Sequence, residues 1–329
     1  MKRAASIFGQ LSLAVAALAL VASCAEEIAL QTAISGTPRP PYEKMGLTMF
    51  PGNRTAGSLA AQMSDIKSLK VNYIRATFWF DTSYMSSNGA QPSFARFDGI
   101  VNAAEAAGLD VLPILGYVPN WLEGDANWKT VFINDYVIPV VSRYKGRIKS
   151  WEVWNEPDEF KFNVLNGSAD DYFDLLQKVS AAIRATDPSA KIVSAATANA
   201  TSDGITKWEW LQRLVDLGLS RHADVLNIHY YSDMEIEISS IGGPTVRDAG
   251  MPVWITETGK SGQSAQKSYF DLNMPYIDKA VNPERIYWYC YVQGEGRDEE
   301  VNPAESYGLI AYYNGLRYES TLYTHLKTR

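Results

Sequence analysis

Trp151-Glu152-Val153-Trp154-Asn155-Glu156-Pro157 decides how the rest of the chain is read. Its apolar half has the character of a buried strand, and its end delivers a carboxylic acid where a strand opens into a loop. A second ending of this kind lies about 100 residues on, in Pro252-Val253-Trp254-Ile255-Thr256-Glu257-Thr258-Gly259. Two apolar strands, each closing on a Glu, place two carboxyl groups where they can face one cleft.

On either side the same rhythm repeats. Strands are expected at Gly46 to Phe50, Val71 to Phe78, Val111 to Leu115, Ile148 to Trp154, Lys191 to Ala196, Val225 to Tyr230, Val253 to Thr256 and Ile286 to Val292. Between them apolar residues recur at helical spacing: Leu59, Met63 and Ile66; Phe97, Ile100, Val101 and Ala104; Phe132, Tyr136, Val140 and Tyr144. Ser168 with Asp171 resembles a capping box and opens a helix carrying Tyr172, Leu175, Leu176, Val179 and Ile183 on one face. Trp208, Leu211, Leu214 and Val215 mark the next, and Phe270, Met274 and Ile277 the seventh. The sixth, at about Met234 to Asp248, is poorly marked because Gly242-Gly243-Pro244 interrupts it; a short last helix is expected at Thr321 to Lys327. Near-continuously apolar strands alternating with helices imply a parallel sheet buried on both faces. With no Pro/Gly/Ser-rich break, one closed (β/α)₈ TIM barrel over 42–329 is the economical solution. A doubly wound sheet is disfavoured because Phe50-Pro51-Gly52-Asn53 is no phosphate-binding loop.

Residues 1–23 read as a separate object. Lys2 and Arg3 precede an apolar stretch from Leu11 to Val21, as in an export signal peptide. Val21-Ala22-Ser23-Cys24 resembles a bacterial lipobox, which implies lipidation of Cys24; ordinary secretion with cleavage near Ala25, or an uncleaved anchor, is the alternative. Residues 24–41 then read as a short tether. Loss of the leader moves the net charge from −7 to −9. Such an acidic domain speaks against nucleic acid or an anionic membrane as partner. The second of two cysteines, Cys290, has no partner once Cys24 is lipidated, so no disulfide framework is expected. With three His and no Glu-x-x-His or His-x-x-x-His spacing, neither a metal nor a cofactor is expected. There is no Gly-x-Ser-x-Gly nucleophile elbow.

In a barrel of this kind the functional face lies at the C-terminal ends of the strands. Glu156 and Glu257 end strands four and seven. Two carboxyl groups in unlike surroundings suit cleavage of a glycosidic bond, one protonated to serve the leaving oxygen and one ionised. Trp151 and Trp154 offer Glu156 apolar surroundings. The plainer alternative is that each Glu caps a helix or pairs with an Arg. Glu152 points inward below Glu156 and reads as a buried, paired carboxylate, whereas Asp81, Asp158 and Glu159 lie in loops and are expected to be solvated.

Trp-Glu-Val-Trp-Asn-Glu-Pro with Ile-Thr-Glu-Thr-Gly resembles the clan A retaining (β/α)₈ glycoside hydrolases, the clan of families 5, 10 and 39. The likeness runs from Gly46 to the C-terminus. It implies Glu156 as general acid/base and Glu257 as nucleophile. It also implies Asn155 at the sugar 2-hydroxyl and Arg75 as the group that keeps the nucleophile ionised. His229-Tyr230-Tyr231 is similar to a His-x-Tyr element, with Tyr231 donating to Glu257 and His229 touching substrate; a satisfied core histidine is the alternative. Trp288 matches a Trp under the sugar, or is simply core. Tyr117-Val118-Pro119-Asn120-Trp121 resembles a family 39 loop, in which Trp121 either lines the cleft or anchors the loop. The expectation is an exported, lipid-anchored retaining β-glycosidase, monomeric, with an oligo- or polysaccharide as substrate and the membrane reached only through its lipid. A carbohydrate-binding protein with spent catalysis, and a transglycosylase, are the competing readings.

Overall fold

Every apolar run expected as a strand forms one, and the eight associate in chain order into a single parallel sheet. They are β1 (Met45–Met49), β2 (Tyr73–Trp79), β3 (Asp110–Gly116), β4 (Ser150–Val153), β5 (Lys191–Val193), β6 (Leu226–His229), β7 (Val253–Thr258) and β8 (Arg285–Tyr289). The ladder runs β5-β4-β3-β2-β1-β8-β7-β6. The remaining gap is spanned by a parallel bridge between Val193 and Val225, with Ser194 N–H donating to the Val225 carbonyl at 3.1 Å. The ring is therefore a (β/α)₈ barrel, weakest at the β5–β6 seam. The computed structural model describes residues 39–51, 56–159, 164–198, 206–232, 238, 242–293 and 300–329. The expected leader, Cys24 and most of the tether lie outside them. Residues 41–329 form one compact unit.

The helices follow the expected faces. They are α1 (Ala56–Ser68), α2 (Ala95–Ala106), α3 (128–143), α4 (Ala169–Thr186), α5 (Lys207–Leu217), α6 (Gly243–Asp248), α7 (Gln266–Val281) and α8 (Thr321–Thr328). In α4 the Ser168 hydroxyl accepts from Asp171 N–H at 3.2 Å, and Tyr172, Leu175, Leu176, Val179 and Ile183 are buried. An N-cap of this kind contributes about 1 kcal/mol. Within α3 the turn Phe132–Val137 widens to a π-helix just before Pro139. Proline has no N–H for the carbonyl four residues back. That carbonyl, of Asp135, takes the Tyr84 hydroxyl instead at 3.1 Å.

Two features were not anticipated. Ile310–Tyr313 and Leu316–Glu319 form an antiparallel hairpin, β9–β10, between the barrel and α8. The poorly marked sixth helix is only Gly243–Asp248 among the described residues, and most of 234–241 lies outside them. No helix of the described residues is long and apolar enough to cross a membrane.

Candidate active site

Alternation along the strands sorts the barrel interior into layers, because every second side chain points inward. The lowest is apolar, with Leu112, Val193, Val225, Trp254 and Tyr287 packed together. Gly46 belongs to it, since a Cβ there would sit 2.8 Å from the Tyr287 ring. Two residues further along β1, β2, β4, β6 and β7 the layer turns polar, with Thr48, Arg75, Glu152, Asn227 and Thr256 all buried. Above that, at the strand ends, stand Asn155, Glu156, His229, Tyr231, Glu257 and Tyr289.

Arg75 is the hub of the polar layer. Its Nε and Nη2 donate to Glu152 at 2.7 and 2.9 Å, its Nη1 to Glu257 Oε1 at 2.6 Å, and Nη2 also to Asn155 Oδ1 at 2.6 Å. A buried guanidinium has to be matched by anions, and here two carboxylates share it. Glu152 further accepts from Asn227 Nδ2 at 3.0 Å. Glu257 accepts the Tyr231 hydroxyl on Oε2 at 2.7 Å. Burial alone pushes the Glu257 carboxyl up, but the neighbouring His229, the Arg75 charge and the Tyr231 hydrogen bond outweigh it and hold the group below the usual carboxylate range.

A break in β7 makes this possible. Consecutive residues of a regular strand face opposite sides, yet Thr256 Oγ1 donates to Glu152 at 3.3 Å while Glu257 bonds Arg75. The ladders on both sides of β7 slip here, between Ile228 and His229 toward β6 and between Ile255 and Thr258 toward β8. Such a bulge re-aims one extra side chain into the barrel.

At the end of β4 the chain takes a left-handed conformation twice, at Trp154 (φ 74°) and Glu156 (φ 45°). Each costs on the order of 1 kcal/mol for a residue with a side chain. Trp154 N–H donates to Leu115 and Glu156 N–H to the Ala196 carbonyl, which tie the bend to both neighbouring strands. The bend brings the Glu156 carboxyl to the cleft, with its Oε1 3.0 Å from His229 Nδ1. Ligand atoms of Glu156, His229 and Glu257 all lie within 4.8 Å of one another. That spacing would suit a cation, but Glu257 already carries the Arg75 guanidinium and the Tyr231 hydroxyl, so the donor set is committed to organic partners. His229 is pulled two ways. Burial disfavours the imidazolium, whereas the charges of Glu257 and Glu156 favour it and win, so its pKa is raised.

Residues 40–293 match the model of the Cellulase family (glycosyl hydrolase family 5). The chain belongs to this family. It is a glycoside hydrolase of clan A, whose families the solved structures of the same fold span. A family 39 glycoside hydrolase from Bacteroides cellulosilyticus WH2 superposes with a TM-score of 0.62 at 15% identity, over 88% of this chain and 63% of that one. A monomeric beta-xylosidase from Caulobacter crescentus CB15 gives 0.67 at 17%, over 89% and 68%. A GH10 endoxylanase from a sugarcane soil metagenome gives 0.62 at 14%, over 86% and 96%. This chain thus spans about two-thirds of the two former chains and nearly all of the third. No curated protein matches by sequence.

For several residues of this family 5 glycoside hydrolase the structure decides between two expectations or departs from the one given. Trp288 is not under the site. It is fully buried, packs outward on Tyr269 and Phe270 of α7, and donates its Nε1 to the Tyr307 carbonyl at 3.1 Å. The alternation in β8 aims Tyr287 and Tyr289 inward instead, and Tyr289 stands beside Tyr231 and Tyr307. Trp121 anchors its loop, with its edge on Phe80 and its Nε1 on the Met85 carbonyl at 3.1 Å. Trp151 and Trp154 do not wrap Glu156; they pack against Phe78 and against Trp128 and Phe132, on the helix side. Asp158 is buried rather than solvated, and accepts from Ala198 N–H at 2.9 Å. Burial, with Glu156 nearby, pushes its carboxyl up to about 6. Asp81 is half-buried in an ion pair with Arg96 at 2.7 Å. Thr256 and Asn227 were missed, although the inward alternation of β6 and β7 was there to find them.

Proposed function

We propose that this protein is a retaining β-glycosidase in which Glu257 is the nucleophile and Glu156 the general acid/base. The observation that carries the reading is the short gap between Glu156 and Glu257, the first beside His229 and the second held between Arg75 and Tyr231. Retention takes carboxyl groups about 5–5.5 Å apart, whereas inversion needs about 6.5–9.5 Å to admit a water. One oxygen of Glu156 and one of Glu257 lie within 4.8 Å of each other, a gap that suits the shorter range. His229, Arg75 and Tyr231 keep Glu257 anionic while leaving it lone pairs for attack on the anomeric carbon. As that bond forms, the bond to the leaving oxygen breaks and Glu156 gives that oxygen its proton. In the second half, Glu156 takes a proton from water, whose oxygen displaces Glu257 and releases the sugar. Asn155, oriented by Arg75 and by Tyr117 at 3.1 Å, carries a second amide hydrogen for the 2-hydroxyl.

A 2-deoxy-2-fluoro glycoside with a good leaving group tests the reading directly. The expected result is a protein heavier by one fluoroglycosyl unit, with the mass on a peptide containing Glu257. A label on another residue, or none across gluco-, xylo- and manno-configured reagents, would overturn it. A panel of xylan, mannan and glucan scored by reducing-end release then gives the sugar.

We extend the proposal to place. Lys2, Arg3, the apolar run to Val21 and Val21-Ala22-Ser23-Cys24 support export and a lipid on Cys24, with an extracytoplasmic saccharide as substrate. In a bacterial host, metabolic labelling with a tagged fatty acid is expected to mark the wild type and not Cys24→Ala. Equal labelling of both would exclude the anchor.

A further inference from the structure

Beneath the proposed acid/base runs a chain of hydrogen bonds that catalysis as described above does not use. His229 Nε2 lies 3.2 Å from Thr256 Oγ1, and Thr256 Oγ1 lies 3.3 Å from Glu152 Oε1. All three residues are buried, with Glu152 and Thr256 fully enclosed. Glu152 is paired through both oxygens with Arg75 and accepts from Asn227, so it offers acceptors only. Thr256 has one hydroxyl hydrogen and two candidates for it. A hydrogen bond to a carboxylate is about twice as strong as one to a neutral acceptor. The hydrogen therefore points at Glu152, and the hydroxyl lone pair is left facing Nε2. Only an N–H can sit opposite that lone pair, so Nε2 is the protonated nitrogen.

We propose that Glu152, acting through Thr256, fixes the Nε2–H tautomer of His229 and thereby keeps the acid proton of Glu156 in place. With Nε2 holding the hydrogen of the neutral ring, Nδ1 is a bare acceptor 3.0 Å from Glu156 Oε1. The contact is then favourable only while one proton lies between Oε1 and Nδ1, on either side of it. Once Glu156 has given its proton to the leaving group, a carboxylate oxygen faces a nitrogen lone pair. That arrangement favours recovery of a proton from the attacking water in the second half-reaction. Glu152 and Thr256 touch no substrate in this scheme and are positioning residues. The other groups around His229 are Glu257 on β7, Arg75 on β2, Tyr231 past the end of β6, and Asp158 after β4. Glu257 Oε2 lies 3.8 Å from Nδ1, beyond hydrogen-bond reach, and Asp158 acts on the ring through its charge, so the direct contacts of the ring nitrogens are Glu156 at Nδ1 and Thr256 at Nε2.

The inference rests on Glu156 as acid/base for its consequence, but its core is testable without turnover. The full-length protein has three histidines, so ¹⁵N-histidine labelling gives few signals, and His229→Gln identifies those of His229. Above the pH at which the ring loses its second proton, the wild type is expected to show Nε2 protonated and Nδ1 bare. Thr256→Val keeps the volume and removes the acceptor; its neutral ring is expected to carry the hydrogen on Nδ1, donating to Glu156. Thr256→Ser restores the wild-type pattern. In kinetics, the alkaline limb of kcat/KM should move down by about one pH unit in Thr256→Val, the scale of one hydrogen bond, and return in Thr256→Ser. An unchanged tautomer in Thr256→Val, or a rate lowered evenly at all pH with the limb in place, would overturn the proposal. Absence of glycosidase activity would sink the functional reading above while leaving the tautomer result to stand by itself.

Discussion

Glu257→Ala is expected to lower kcat by on the order of 10⁴-fold or more, the scale seen when a residue that forms part of the bond-making unit is removed. The reason lies in the geometry rather than in charge alone. Glu257 is held between Arg75 at 2.6 Å and Tyr231 at 2.7 Å, so its carboxylate is fixed and ionised before substrate arrives. Removing it leaves a space of carboxylate size beside a buried cation. Azide fits that description, and it is expected to restore turnover by attacking the anomeric carbon from the vacated side. The product should be the glycosyl azide of inverted configuration, read by NMR. Azide is a free nucleophile in place of a positioned one, so rescue should be clearest with good leaving groups, for which cleavage at the anomeric carbon demands least. Turnover at the wild-type rate in Glu257→Ala, or a rescued azide of retained configuration, would remove Glu257 from its role.

Arg75→Met is expected to be the most destabilising single change in the site, costing about 3–5 kcal/mol by urea unfolding at pH 7. That is the range for breaking a buried pair by removing one partner, because the anion left behind stays buried. Here two anions are left, Glu152 at full burial and Glu257 at the cleft floor. The pH dependence should change as well. In the wild type Glu257 has a folded pKa below its unfolded value. Its contribution to stability is therefore complete above the unfolded carboxylate range near pH 4 and is lost as pH falls through the lower, folded value. In Arg75→Met one counter-charge and its hydrogen bond are gone while His229 remains beside Glu257, so burial is less fully offset and the folded pKa moves up toward the unfolded one. Less of the variant's stability should then be lost as pH falls below about 4 than in the wild type, where that loss is larger. Activity should fall as that pKa rises, since a protonated Glu257 cannot attack. A variant whose midpoint and pH trend match the wild type would show that the guanidinium is not what holds these carboxylates.

The barrel was legible because its signal is redundant. Eight apolar runs at near-regular spacing each report the same thing, and an error of two or three residues at an end, as at Ile148 against Ser150, changes nothing in the order of strands. The two carboxylates were legible because each closes a Trp-containing strand, and strand ends are where a barrel of this kind works. The tryptophans were less so. Trp288 was placed under the sugar by likeness, but one position of register decides whether a β8 residue faces barrel or helix, and Tyr287-Trp288-Tyr289 gives no pattern of polar and apolar to choose by. The structure chooses Tyr289. Asp158 fell to the same difficulty in another form. Loop carboxylates are usually wet, and only the packing of the loop after β4 against Ala198 shows that this one is not.

By itself, then, the sequence determined the order of elements, the closed ring they make, and the two ends at which acids emerge. Periodicity and strand-terminal residues are local properties, and local properties are written in the chain. The tertiary structure decided the rest: a bulge in β7 that turns Thr256 and Glu257 the same way, two left-handed residues that bend Glu156 into the cleft, and one guanidinium shared by Glu152 and Glu257. Each depends on contacts between strands far apart in sequence, where a slip of one residue reverses every side chain.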